Sequence, residues 1–222
     1  MSTVGLESQS FRSGLALVLL LVAYIIDAFD EPLVNLVVGL MFVSILALVL
    51  LEPTRPRWLR PAAIAAGAVS IGLTITDAVS SSDVAAGLAQ FTNAFVLLLA
   101  VLAVVRRILR GDGVDLTTVM GAVLAYALIA FMCSSLYRGI DVITDEPFFA
   151  QGAVASSDYV YFSFVTITTL GFGDLSPGTD LAKRLVAIET FVGQVVLVVM
   201  VARLVSLWGA PLRRPSDTPP AE

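Results

Sequence analysis

Long apolar runs that carry no charge constrain this chain more than any other feature. Pro32 to Leu51, Val84 to Val105 and Leu116 to Tyr137 each hold about the 20 residues that a helix needs to cross the hydrocarbon of a bilayer. With 58% of residues hydrophobic and 14% charged, too little polar surface is left to cover a water-soluble domain. Three further runs are less regular and are also read as crossings. Gly14 to Ile26 is short before it meets Asp27, Pro61 to Thr76 is alanine-rich and stops at Asp77, and Leu185 to Leu207 carries Glu189 and Arg203. No small-x-small cleavage site follows the first run, so it is expected to remain as a crossing and not to be removed as a leader. The small residues of the third, Ala62 to Ala68, suit close packing between helices.

Charge is sorted by position. Arg12 precedes the first run, Arg55, Arg57 and Arg60 follow the second, Arg106, Arg107 and Arg110 follow the fourth, and Arg203, Arg213 and Arg214 end the sixth. The alternate loops are acidic: Asp27, Asp30, Glu31, Asp77, Asp83, Asp141, Asp145, Glu146, Asp158, Asp174 and Asp180 stand against Arg138, Lys183 and Arg184. Because basic loops stay cytoplasmic, the pattern predicts a multi-pass protein of the cell membrane with both termini inside. A net charge of −5 offers no general basic surface, so no nucleic-acid partner is expected. There is no histidine, and Cys133 is the single cysteine, which removes histidine acid–base chemistry, an internal disulfide and a zinc cluster. An enzyme, a cofactor and a soluble regulatory domain are therefore not expected. The proline-rich end from Gly209 to Glu222 reads as a disordered tail.

Arg138 to Arg184, between the fifth and sixth runs, is too long for a simple turn and contains SSDYVYFSFVTITTLGFGDLSP. Ser156, Ser157 and Asp158 are candidate helix caps, and Tyr159 to Thr168 is a short aromatic helix of about three turns, too short to cross. A helix that enters a membrane and returns as irregular backbone needs protein or a water-filled path around it. The return segment is Thr169 to Asp174, in which Gly171 and Gly173 can adopt positive φ at little steric cost. Taken alone, Gly-Phe-Gly-Asp also reads as an ordinary tight turn.

Thr169-Leu170-Gly171-Phe172-Gly173, followed by Asp174, resembles the selectivity filter of the tetrameric potassium channels. The resemblance covers Leu116 to Leu207. It implies an all-α membrane protein of six transmembrane helices, with a re-entrant pore helix and filter loop between the fifth and sixth. Residues 1–13 would be a cytoplasmic N-terminus, 14–110 a peripheral four-helix domain, 111–208 the pore domain and 209–222 a cytoplasmic tail. It implies a homotetramer in the lipid bilayer that passes permeant K+ passively, with the ions at Thr169, Leu170, Gly171 and Phe172. Leu170 and Phe172 would pack away from the axis against the short helix. Asp174 would ring the outer mouth, and Tyr161, Phe162, Val165 and Glu189 would support the filter from behind.

On the last helix, Thr190, Gln194, Leu197 and Val201 share one face, assigned to a central cavity, and Gly193 is either a gating hinge or a plain packing glycine. Glu189 lies roughly 110° from that face and should point into protein beside the short helix. Phe172 stands where the family has tyrosine, so the outer filter is expected to be less stiffly held. The six crossings are similar to voltage-gated relatives, yet no arginine lies between Val84 and Val105, so no steep voltage dependence is expected. The alternatives are a non-selective or sodium-conducting cation channel and, from another class, a transporter or accessory membrane subunit.

Overall fold

The computed structural model describes residues 3–26, 32–50, 59–80, 83–110, 116–144 and 146–208. Every long element is helical: α1 (Thr3–Ile26), α2 (Pro32–Leu50), α3 (Leu59–Ser80), α4 (Asp83–Arg110), α5 (Leu116–Ile143), α6 (Ser156–Ile167) and α7 (Asp180–Trp208). Each apolar run forms a helix, because in hydrocarbon only internal hydrogen bonding satisfies the backbone. The helices outrun the apolar runs that seed them. α1 begins at Thr3 and not near Gly14, α5 continues past Tyr137 to Ile143, and α7 starts at Asp180.

Among the described residues, three helices are long and apolar enough to cross a membrane, over Asp83–Leu109, Thr118–Ile143 and Asp180–Val205. The apolar stretches of the first three are shorter, at Ser13–Ile26, Val37–Ala47 and Ile64–Leu73. The loop charges at Asp27, Asp30, Glu31, Arg55, Arg57, Asp145, Arg213 and Arg214, and the tail from Gly209, lie outside the described residues. So do the side chains of Arg12, Arg60, Asp77 and Arg110.

α4 and α5 form the spine. α2 and α3 pack against α4, α1 packs against α2 and α5, and α6 and α7 pack against α5 and each other, with Tyr24 of α1 meeting Phe164 of α6 edge to face. The core is continuous from Leu20 and Leu46 through Val96, Leu97 and Leu128 to Phe148 and Phe149. A few polar pairs interrupt it, among them the Ser70 hydroxyl donating to Asn93 Oδ1. Burial along these three helices is uneven: 56% of the apolar stretch of α5 and 44% of that of α4 are buried, but only 17% of that of α7. Ile188, Phe191, Val195, Val198, Val201 and Val205 of α7 all stand exposed.

At the junction of the two parts, Arg203 Nε on α7 donates to the Ile108 carbonyl near the end of α4, 2.8 Å away. That carbonyl is one of the last four of its helix, which lack intrahelical donors, and a guanidinium there suits the negative end of the helix. Arg107 Nη2 reaches Ser13 Oγ of α1 at 3.1 Å.

Candidate functional site

α6 begins differently from the sequence expectation. Ala155 is the cap residue, and Asp158, one of the three cap candidates, instead accepts the Ala155 N–H through its side chain at 3.0 Å. Ser156 and Ser157 are inside the helix. A carboxylate in the first turn is favourable for the same reasons as a cap, since it meets an orphan donor at the positive end of the helix.

At the other end the chain curls tightly. Thr168 N–H bonds to the Phe164 carbonyl at 3.2 Å, Thr169 N–H to Thr166 at 2.9 Å, and the N–H groups of Leu170 and Gly171 both reach the Val165 carbonyl, at 2.9 and 3.3 Å. Beyond this point φ alternates in sign: it is 58° at Thr169, 56° at Gly171 and 81° at Gly173, with no positive value at Leu170 or Phe172 between them. In an ordinary strand successive carbonyls point to opposite sides. Alternating the handedness of the backbone turns them to a common side, as it does for the N–H groups of a nest. Gly171 and Gly173 carry positive φ as the sequence predicts. Thr169 does too, and it is the only non-glycine residue to do so among those described. A β-branched residue in that region costs about 1–3 kcal/mol and marks a place where the surroundings dictate the backbone.

Those surroundings come from α5 and α7. Ile167, the last residue of α6, is fully buried, and its carbonyl accepts the Tyr126 hydroxyl of α5 at 2.5 Å. From α7, Gly193 approaches so closely that an added Cβ would lie 2.4 Å from Ile167 Cγ1. Gly193 sits within helical α7, and this close approach accounts for the missing side chain. Higher on α7, Glu189 is 2% exposed. It accepts the Tyr137 hydroxyl of α5 at 2.6 Å and the Ser163 hydroxyl of α6. Ser163, and not Val165, is therefore the α6 residue that faces Glu189; its Oγ also lies 2.7 Å from the Ala130 carbonyl. Val165 contributes through its carbonyl instead. Phe162 turns into a buried aromatic cluster, 5.0 Å from Phe149 and 6.2 Å from Tyr137 between ring centroids.

Toward the open end, the Tyr161 hydroxyl donates to Asp174 Oδ2 at 2.7 Å. Its ring lies parallel to that of Phe172, centroids 6.4 Å apart with 7° between the planes. The Tyr161 hydroxyl holds the Asp174 carboxyl below its ordinary range. Expected packing of both apolar side chains against α6 is not what one chain displays: Phe172 touches Tyr161 but stays 63% exposed, and Leu170 is 59% exposed.

The structure thus brings Thr169 to Asp174 together with Tyr161, Val165, Glu189 and Gly193. On α7, Thr190 and Gln194 are half-buried, the Thr190 hydroxyl bonds to its own helix at Val186, and Leu197 and Val201 are exposed. Sequence reasoning missed Tyr126, Tyr137 and Ser163. Their signal was faint: three hydroxyls within apolar helices.

Residues 118–208, which hold α5, α6, the loop and α7, match a protein-family model described as an ion channel. No curated protein matches the chain.

Proposed function

We propose that this chain is one subunit of a potassium-selective channel, in which α5, α6 and α7 of four identical copies surround a central path for passive conduction. The match of residues 118–208 to the ion channel family indicates the class. The finer reading is supported by the alternation of φ at Thr169, Gly171 and Gly173 directly after the short helix α6. Carbonyls aligned on one side of four such segments can replace the water shell of a monovalent cation, at a spacing and field strength that favour K+. Asp174, ionised at neutral pH, would line the outer mouth and raise the local cation concentration. Thr190, Gln194, Leu197 and Val201 would line the cavity beneath. In this reading α1 to α4 form a peripheral bundle, the chain crosses the cell membrane six times, and both ends are cytoplasmic.

The reading is tested with purified protein in liposomes. Rubidium uptake is expected from the wild type and its loss from Gly173→Ala, where a Cβ opposes the positive φ. A K+ over Na+ permeability ratio near one would favour a non-selective pore instead. No uptake by the purified chain would favour an accessory subunit.

A further inference from the structure

The filter segment is held firmly at its inner end and loosely along its outer half. Four N–H groups from Thr168 to Gly171 bond back to α6, whereas no hydrogen bond ties the backbone of Phe172 or Gly173 to the rest of the described chain. What holds the outer end therefore decides how well the carbonyls keep their places. Tyr161 supplies one tie, through Asp174. A second lies beyond it, in residues 175–178.

There the chain runs antiparallel to the segment that precedes α6. Ala150 N–H donates to the Ser176 carbonyl at 2.9 Å and Gly178 N–H to the Phe148 carbonyl at 2.8 Å, with Phe149 and Pro177 bridged between them. The close approach needs a glycine: a Cβ at Gly178 would lie 3.0 Å from both the Phe149 carbonyl carbon and the Ala150 nitrogen. The segment is itself anchored at its root. Phe148 and Phe149 are fully buried among Tyr137, Tyr159 and Phe162, and Phe148 N–H is bonded to Asp141 Oδ1 at 2.5 Å. Gln151 completes the clasp from the surface. Its Oε1 accepts the Ser176 N–H at 3.1 Å, and its Nε2 donates to Ser176 Oγ at 3.3 Å, so one exposed side chain grips both the backbone and the side chain of the same residue.

We propose that Gln151 is a positioning residue for conduction: by clasping Ser176 it fixes the outer end of the filter against the aromatic anchor and prolongs the conducting state. It touches no ion. Its effect passes through Ser176 to Asp174 and the unbonded peptides at Phe172 and Gly173. The inner half of the filter, bound to Val165 and Thr166, is outside its reach.

The inference rests on the channel reading, and wild type, Gln151→Ala and Gln151→Glu are compared in planar bilayers. With K+ scarce outside, Gln151→Ala is expected to shorten conducting bursts about tenfold, the loss of two neutral hydrogen bonds. Unit current in high K+ and the K+ over Na+ permeability ratio should not change. Gln151→Glu should recover most of the burst duration, because a carboxylate accepts the Ser176 N–H and the serine hydroxyl can turn to donate to it. Equal bursts in wild type and Gln151→Ala, or a Gln151→Glu variant no better than Gln151→Ala, overturn the proposal. If the wild type carries no current, the channel reading falls. Amide exchange then still tests the clasp: faster exchange at Ser176 in Gln151→Ala supports it, and equal exchange removes it.

Discussion

Hydroxyl groups cross-brace α6 and the loop that follows it. Tyr126 holds the end of α6, Tyr137 and Ser163 converge on Glu189, and Tyr161 reaches Asp174. The last of these matters for the expectation drawn from Phe172. That residue lacks a phenol hydroxyl, but the parallel ring of Tyr161 carries one to Asp174, two residues further on. The outer end of the proposed filter is thus tied by a different residue. Asp174 titrates below the ordinary carboxylate range, chiefly because of that hydroxyl. The contribution of the bond is therefore present above the ordinary range and is lost as pH falls through the depressed value. Tyr161→Phe removes the largest cause, so the Asp174 value should rise. Unit current recorded against external pH should then decline at a higher pH in Tyr161→Phe than in wild type. Superimposable acid limbs would mean that Asp174 does not sense Tyr161.

For the elements, the decisive arrangement is α6 held between α5 and α7, with Ile167 gripped from both sides. Two helical glycines separate packing from propensity here. Gly72 of α3 has nothing within 4 Å of an added Cβ, so Gly72→Ala should stabilise by up to about 1 kcal/mol through helix propensity. Gly193→Ala gains the same propensity but forces a methyl onto buried Ile167, at a cost of about 1–3 kcal/mol. Crowding wins, and thermal unfolding in detergent should show Gly72→Ala melting above wild type and Gly193→Ala below it. The helices themselves were legible in the sequence, since a chain that crosses hydrocarbon has little choice of backbone. Gly171 and Gly173 were legible for the same reason, because only glycine takes positive φ cheaply. Thr169 was not, because its strain is imposed by the hydrogen bonds around it. Nor was the pairing of Glu189 with Tyr137 and Ser163, which lie 52 and 26 residues away. Such a meeting depends on how three helices are rotated about their axes, and local pattern carries no record of that. The cap at Ala155 escaped because the side chain that ties this end, Asp158, lies inside the helix and accepts the cap residue's own N–H.

In the molecule as a whole, the bundle of α1 to α4 reads as a brace. α4 has no charged residue between Val84 and Val105, and Arg107 at its end is engaged with Ser13. Moving one elementary charge through the field is worth about 2.3 kcal/mol per 100 mV, and α4 has none to move there. Arg203 meanwhile fastens α7 to the end of α4. Open probability should accordingly change less than about tenfold over 100 mV, which corresponds to under one charge transferred. A steeper curve in single-channel records would assign α4 the sensing role its composition denies it. A different consequence follows from the bareness of the loop from Thr168 to Asp174, whose side chains are all exposed in one chain. Acyl chains can solvate the valines of α7 indefinitely, so that helix gives a newly inserted monomer little reason to seek company. Naked peptide dipoles are another matter, since oil offers them no partner. The very groups suited to greeting a metal ion would make solitude costly, and assembly would be driven by polarity in search of water.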